Sequence, residues 1–357
     1  MAKTLYLHVG HFKTGTTALQ VFFARNSSLF ASLGIDYATT NLHNAKQSAY
    51  AFVLLQAVGV KTLMHGFTSP LTPEEMWEGL FDYVRASKSP SVLVSSEEFM
   101  RLGAFPEAAA RLRSIVDTYG AGVEIKVIAY LRSPQAHLKS WYNQLVKMGR
   151  VMPDFTSSLQ GEIENIHIDY QQAIAPWVEL FGQSNVILRH YAPLRDDPGS
   201  LFRDFLSIFG LEVPGGLEFP KGDPNPRLDD RLLNLVRLMQ NSGIRSKGIE
   251  ILRQDAGQYL EGLDAKAPRA AADLAAVRAR ASNGIAALVG FEHSNLDLAS
   301  LAADLPMGDP TDRMVDTDVI AFVFSELLAI RRRINRAELD TFVEKLGKLE
   351  ARLKALE

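Results

Sequence analysis

The sequence predicts an α/β fold, a parallel sheet flanked by helices, with a helical C-terminal extension. Three observations carry this. Short apolar, β-rich runs recur between stretches of helical periodicity. The first of those runs enters a Gly- and Thr-containing turn that opens a helix. The end of the chain repeats its apolar residues at helical, not strand, spacing.

The predicted strands are Leu5–Val9, Val92–Val94, Val123–Leu131 and Val186–Leu188. Strands that alternate with helices favour parallel pairing, because a covering helix carries the chain back across the sheet each time. About eighty residues separate the first two runs, more than a minimal crossover needs. One element between them is a helix opening at Thr72-Pro73-Glu74-Glu75, with Thr72 as cap and Pro73 at the first helical position. From Val213 to Arg227 Pro and Gly cluster, which reads as a loop. Beyond it the chain turns helical and Ala-rich until a break at Leu305–Pro310. This divides the protein into residues 1–305 and a C-terminal amphipathic helical segment, 311–357. The segment ends with Leu339, Phe342, Leu346, Leu349, Leu353 and Leu356 at 3-4 spacing. Such a stripe suits a helix docked on its own domain or a homodimer seam, and the spacing alone does not choose between them.

Composition narrows the function. Among 357 residues 47% are hydrophobic and 22% charged, an ordinary globular balance. A net charge of −3 argues against a general nucleic-acid binder, which needs a basic surplus to meet the phosphate backbone. Any anion site must be local. With no cysteine, disulfides and thiolate metal sites are ruled out. Met1-Ala-Lys-Thr4 runs at once into the first strand, without the apolar region of a signal peptide. No apolar run is long enough for a transmembrane segment. The expected location is cytoplasmic.

The strongest motif is His8-Val-Gly10-His-Phe-Lys13-Thr14-Gly15-Thr16-Thr17-Ala-Leu-Gln20. It follows a strand directly and opens a helix with apolar residues at Leu19, Phe22, Phe23, Phe30 and Leu33, closing at Gly34. A helix N-terminus after a Gly turn offers free N–H groups and the positive end of a dipole. Lys13 adds a charge, and Thr14, Thr16 and Thr17 add hydroxyls. The result is an anion cradle of P-loop type. A nucleoside-triphosphate loop would place Lys after the second Gly, whereas here Lys13 precedes Gly15 and Thr16 follows it.

A second motif closes the strand Val123–Leu131: Tyr130-Leu-Arg132-Ser-Pro134, with Ser140 further along. Ser133 caps a helix that Pro134 begins, and Leu138, Trp141, Leu145 and Met148 mark its apolar face. Arg132 thus stands at a strand's carboxyl end, where open α/β sheets bind ligands. An Arg fork with a nearby Ser hydroxyl suits a phosphate. A third carboxyl end carries Ser95-Ser96-Glu97-Glu98. Along an extended chain only one of these acids faces the cleft. His8, His11 and His43 are rival bases. His8 in the first strand reads as a core residue, and His11 and His43 as cleft-lining.

Taken in order, Lys13–Thr17 and then Arg132, Pro134 and Ser140 resemble the two cofactor motifs of sulfotransferases that use 3′-phosphoadenylyl sulfate, PAPS. The bacterial and Golgi-type carbohydrate members are the most similar. The likeness covers residues 4–230, helped by Val186–Leu194 and Leu201–Leu211, and thins to about 300 (Phe291–Asn295). It implies that residues 1–305 form a sulfotransferase domain and that the reaction moves a sulfuryl group to a hydroxyl of a glycan or glycolipid. Product adenosine 3′,5′-bisphosphate would leave. Cofactor binding falls to Lys13, Thr14, Gly15, Thr16 and Thr17 at the 5′-phosphate and sulfate, and to Arg132 and Ser140 at the 3′-phosphate. The catalytic residues implied are Lys13 at the leaving oxygen and Glu97 as base, with His11 in reserve. No metal is implied, since a sulfuryl group carries less charge than a phosphoryl group. Residues 36–90 and 149–185 would shape the acceptor cleft. The rivals are a P-loop kinase and a non-catalytic scaffold associating through its C-terminal helix.

Overall fold

The computed structural model describes residues 3–61, 63, 66–192, 197, 199–213, 217, 219, 230–241, 248–249, 274–291, 293–307, 323, 330, 333 and 336–348. Contacts divide the chain into two compact units. One comprises Met1–Leu145, Phe155–Arg227 and Asp273–Met307, the other Val146–Asp154, Leu228–Ala272 and Gly308–Glu357.

The first unit is a five-stranded parallel sheet flanked by helices. Strands β1 (Lys3–Gly10), β2 (Ile35–Tyr37), β3 (Ser91–Ser95), β4 (Val123–Leu131) and β5 (Val186–His190) lie in the order β2-β3-β1-β4-β5. Leu5, Leu7, Val92, Val94, Val127 and Leu188 have no exposed surface, as parallel strands covered on both faces require. Register pairs His8 with Ser95 and, across a bulge, Gly10 with Ala129. From β1 the chain runs to the edge strand β2, returns inward to β3 beside β1, and then crosses to β4 on the other side of β1. That reversal opens a crevice at the carboxyl ends of β1 and β4.

β2 is the element that sequence pattern misses. Its three residues are too few to show a period, and it pairs with β3 from Ile35↔Ser91 to Tyr37↔Leu93. The helix expected to run from the anion loop to Gly34 is in fact two, α1 (Thr16–Arg25) and α2 (Ser27–Ser32). Asn26 separates them, its side-chain Nδ2 donating to Phe22 O at 2.8 Å, a local bond that competes with the helical one. Phe22, Phe23 and Phe30 still share one core with Tyr37, Ile128, Tyr130 and Phe205. Three further helices flank the sheet before β3 and β4: α3 (Ala49–Ala57), α4 (Pro73–Ala86) and α5 (Pro106–Tyr119). Thr72 caps α4 in a full capping box with Glu75.

Helix α6 (Pro134–Lys147) follows β4. Leu138, Trp141 and Leu145 are buried along it, whereas Met148, just past its end, is 43% exposed and leaves the predicted apolar face. Then come α7 (Phe155–Ser158), a 3₁₀ turn Asn165–His167, α8 (Tyr170–Phe181) and α9 (Ser200–Ser207). The predicted loop Val213–Arg227 lies outside the described residues except at 213, 217 and 219.

In the second unit α10 (Asp230–Asn241) buries Leu233, Val236 and Met239, and Gln240 Nε2 donates to Val146 O at 2.8 Å. Residues 336–348 are helical, with Leu339, Phe342, Val343 and Leu346 exposed. The rest of the predicted stripe, Leu349, Leu353 and Leu356, lies outside the described residues. Among the described residues no helix is long and apolar enough to cross a membrane.

Candidate active site

Five parallel strands end on one edge, and the segment after each brings a chemically distinct group there. β1 leads into the anion loop, β3 into Glu97 and Glu98, β4 into Arg132 and β5 into Tyr191. The loop after β2 carries Lys46.

The anion loop is shaped by two glycines. Gly15 is the N-cap of α1 at φ 76°. A Cβ there would lie 2.6 Å from Leu201 Cδ2 and 2.9 Å from Tyr191 Cε2. Gly10, at φ 101°, lets the loop press on the next strand's end, since a Cβ would sit 3.2 Å from Glu97 Cα. Lys13 also occupies the left-handed region, at φ 61°, a strained conformation of the kind found at binding sites. No side chain caps α1, so its first-turn N–H groups remain available to an anion. Thr14 is buried and its hydroxyl donates to His11 O at 2.6 Å. It braces the loop from within, leaving Thr16 and Thr17 as the hydroxyls at the helix start.

The first motif reaches the helix that carries Ser140. Lys13 Nζ donates to Gln144 Oε1 on α6 at 3.3 Å. At the foot of α6 the guanidinium of Arg132 stands 5.7 Å from the ring centre of Tyr191, within cation–π range. Its backbone oxygen accepts from Tyr170 Oη at 2.6 Å. Ser140 is a buried hydroxyl on the same helix.

The acids are not arranged as extended-chain alternation predicts. Ser96 caps a 3₁₀ helix, Glu97–Ala104, accepting from Glu98 N. Both glutamates therefore fold inward, at 9% and 3% exposure. Glu97 Oε1 receives Lys46 Nζ and Oε2 receives Gln20 Nε2, each at 2.9 Å. Burial pushes its pKa up, but the Lys46 charge and the two donors outweigh this, and the net shift is downward. Glu98 has no such partner. Its Oε1 is buried without a hydrogen bond. Burial first and the Glu97 charge second raise its pKa to about 7. Adjacent carboxyls driven apart in this way are a recurring arrangement for proton transfer.

The histidines divide differently from expectation. His8 is in the core, with Nδ1 2.8 Å from Ser95 Oγ. His11, expected to line the cleft, is 0% exposed. Its Nδ1 accepts from Phe12 N at 2.8 Å, which puts the proton on Nε2, 2.9 Å from Ile166 O. Both nitrogens are used, and burial lowers the pKa to about 4. His43 is exposed and pairs through its backbone with Lys46.

Two residues absent from the sequence reading join this group. His137 and His167 are buried beside His11, with their ligand atoms within 4.8 Å of one another. That spacing is within reach of a metal ion. As bonded here, however, His11 offers no lone pair, and His137 Nε2 lies 3.1 Å from His167 Nδ1, sharing a proton with it. Lys13 and Arg132 also bear on His137 with positive charge, which opposes a further cation. The trio reads as neutral packing beneath the loop, with His167 stacked on Trp141 at 4.3 Å. Trp141 is thus occupied by the core and not open to a sugar.

No known family profile matches the chain. An uncharacterised protein of Archaeoglobus fulgidus is 28% identical over 137 residues, 38% of this chain and 34% of that protein's length. The crystal structure of a sulfotransferase from Alicyclobacillus acidocaldarius overlaps 78% of this chain and 100% of its own, with 19% identity and a TM-score of 0.39. At that distance the overlap says nothing about chemistry.

Proposed function

We propose that this protein is a sulfotransferase that moves the sulfuryl group of PAPS to an acceptor hydroxyl. The observation that supports this best is the joint placement of Lys13, Arg132 and Glu97 after adjacent strands, with the Lys13–Gln144 hydrogen bond joining the loop to the helix that follows Arg132. Arg132 and Ser140 hold the 3′-phosphate, and the N–H groups and hydroxyls at the start of α1 hold the 5′-phosphosulfate. The bond from sulfur to the 5′-phosphate oxygen breaks, and Lys13 stabilises the charge left on that oxygen. A bond from the acceptor oxygen to sulfur forms in line with it. Glu97 takes the acceptor's proton through a lone pair not engaged by Lys46 or Gln20.

Glu98 is a second candidate for that proton, because its pKa of about 7 suits a base at neutral pH. The acceptor is a glycan or glycolipid by resemblance of the motifs.

Calorimetric titration with adenosine 3′,5′-bisphosphate and, separately, with ATP and Mg²⁺ tests this reading. Tight binding of the bisphosphate alone is expected. Preference for ATP would replace the sulfotransferase with a kinase, and binding of neither would favour a scaffold.

A further inference from the structure

Lys46 has no place in the two cofactor motifs, yet the structure around it is built with care. Residues 43–46 form a two-residue hairpin, His43 and Lys46 bonding each other's backbone at 2.9 and 3.0 Å. Its central residues, Asn44 and Ala45, stand at φ 48° and 65°, the signs of a type I′ turn. Alanine there is strained where glycine would be relaxed. The turn is held regardless. Tyr37 Oη donates to Ala45 O at 2.6 Å, and Gln47 exchanges hydrogen bonds with Ser95 through N and Oε1, at 3.0 and 2.9 Å. The hairpin is therefore fastened both to β2 and to the end of β3.

From that mount Lys46 reaches Glu97, and both side chains are largely buried, at 17% and 11% exposure. Gln20 closes on the other carboxylate oxygen from α1, the helix that begins at the anion loop. Around Glu97 the remaining titratable neighbours are His8 from β1, Tyr37 from β2 and Glu98 next in the chain. None of them is a cation at neutral pH, so Lys46 alone supplies positive charge to this carboxylate among the described neighbours.

We propose that Lys46 is the positioning residue of the Glu97 base: it keeps the carboxylate ionised and, with Gln20, aims it beside the anion loop. This rests on the reading of Glu97 as proton acceptor. A buried carboxylate without a cation drifts toward its neutral form, and a neutral acid cannot accept the hydroxyl proton. The strained hairpin is the device that delivers the cation.

The test uses the full chain with PAPS and water as acceptor, reading free sulfate release against pH, with adenosine 3′,5′-bisphosphate affinity measured in parallel. Wild type should show an acid limb where Glu97 protonates. In Lys46→Met that limb should move to higher pH by about one unit or more, since an adjacent opposite charge lowers a carboxylate by about 1–3 units. Lys46→Arg, which restores the charge, should return it. Bisphosphate affinity should stay within twofold throughout. Should Lys46→Met not fold, Lys46→Gln, with its polar end, gives the same reading. An unmoved acid limb in a folded, bisphosphate-binding Met or Gln variant overturns the proposal. The underlying reading fails separately, if Glu97→Gln releases sulfate at the wild-type rate or if wild type releases none.

Discussion

Lys13 and Arg132 are both cations at the same sheet edge, but they are asked for different things, and substitution should separate them. Under the proposed mechanism Lys13→Ala removes charge from the leaving oxygen, so turnover should fall by about a hundredfold or more while bisphosphate binding weakens less. Arg132→Ala, on the same proposal, removes a phosphate grip away from the transferred group. Loss of a charge-assisted hydrogen bond costs about 1.5–3 kcal/mol, or roughly ten- to over a hundredfold in bisphosphate affinity. Equal affinity in wild type and Arg132→Ala would remove the second motif from the site. The glutamate pair is sharper still. Glu97→Gln keeps the shape and a partner for Lys46 but cannot take a proton, so sulfate transfer should nearly vanish with cofactor affinity retained. Glu98→Gln should keep activity if Glu97 is the base. The reverse outcome would hand the role to Glu98, whose raised pKa already makes it the alternative.

At the scale of elements, the anion loop depends on what a glycine allows. In Gly15→Ala the new methyl would meet Leu201 Cδ2 at 2.6 Å and Tyr191 Cε2 at 2.9 Å. The left-handed backbone adds about 1–2 kcal/mol for any L-residue. The variant should keep its circular dichroism spectrum, lose several degrees of thermal midpoint and bind adenosine 3′,5′-bisphosphate poorly. Undiminished binding would mean the loop does not hold the anion. Much of this edge could be read in the sequence. Lys13–Thr17 and Arg132–Ser140 stand out because a helix start, a strand end and a cation fall together within a few residues, and such patterns are local. Lys46 and Gln20 give no such signal, since each matters only through a side chain that lies far away in the chain.

On the scale of the whole molecule, pH should act through buried histidines. His8 and His11 are held near pKa 4 by burial, against an ordinary value of 6.5. His137 and His167 are shifted in the same direction. A group whose folded pKa is depressed supports the fold fully above its unfolded pKa and loses that support as pH falls toward the folded value. Each of the first two should therefore cost about 2 kcal/mol by pH 5. Glu98 works the other way, favouring the fold below about 4.5 and less so as pH rises through 7, but it is one group against four. The thermal midpoint should fall clearly between pH 7 and pH 5. A flat profile across that range would contradict the burial of these imidazoles.

The sequence by itself determined the parallel α/β architecture, four of the five strands, the capped start of α4 and the helix starts after β1 and β4 that carry Lys13 and Arg132. Each of these is written in neighbouring residues, through periodicity, caps and glycines. Only the tertiary structure decided the rest. It added β2, three residues too short to carry a pattern, and broke the first helix at Asn26. It turned both Glu97 and Glu98 inward, because Ser96 starts a 3₁₀ turn where extended alternation had been expected. It withdrew His11 from the cleft and set it among His137 and His167, which sequence gives no reason to join. It placed Lys46 and Gln20 on the two oxygens of Glu97, which lies 51 and 77 residues further along the chain. Contacts of that separation depend on how the sheet is ordered and which loops meet at its edge, and no local pattern encodes that.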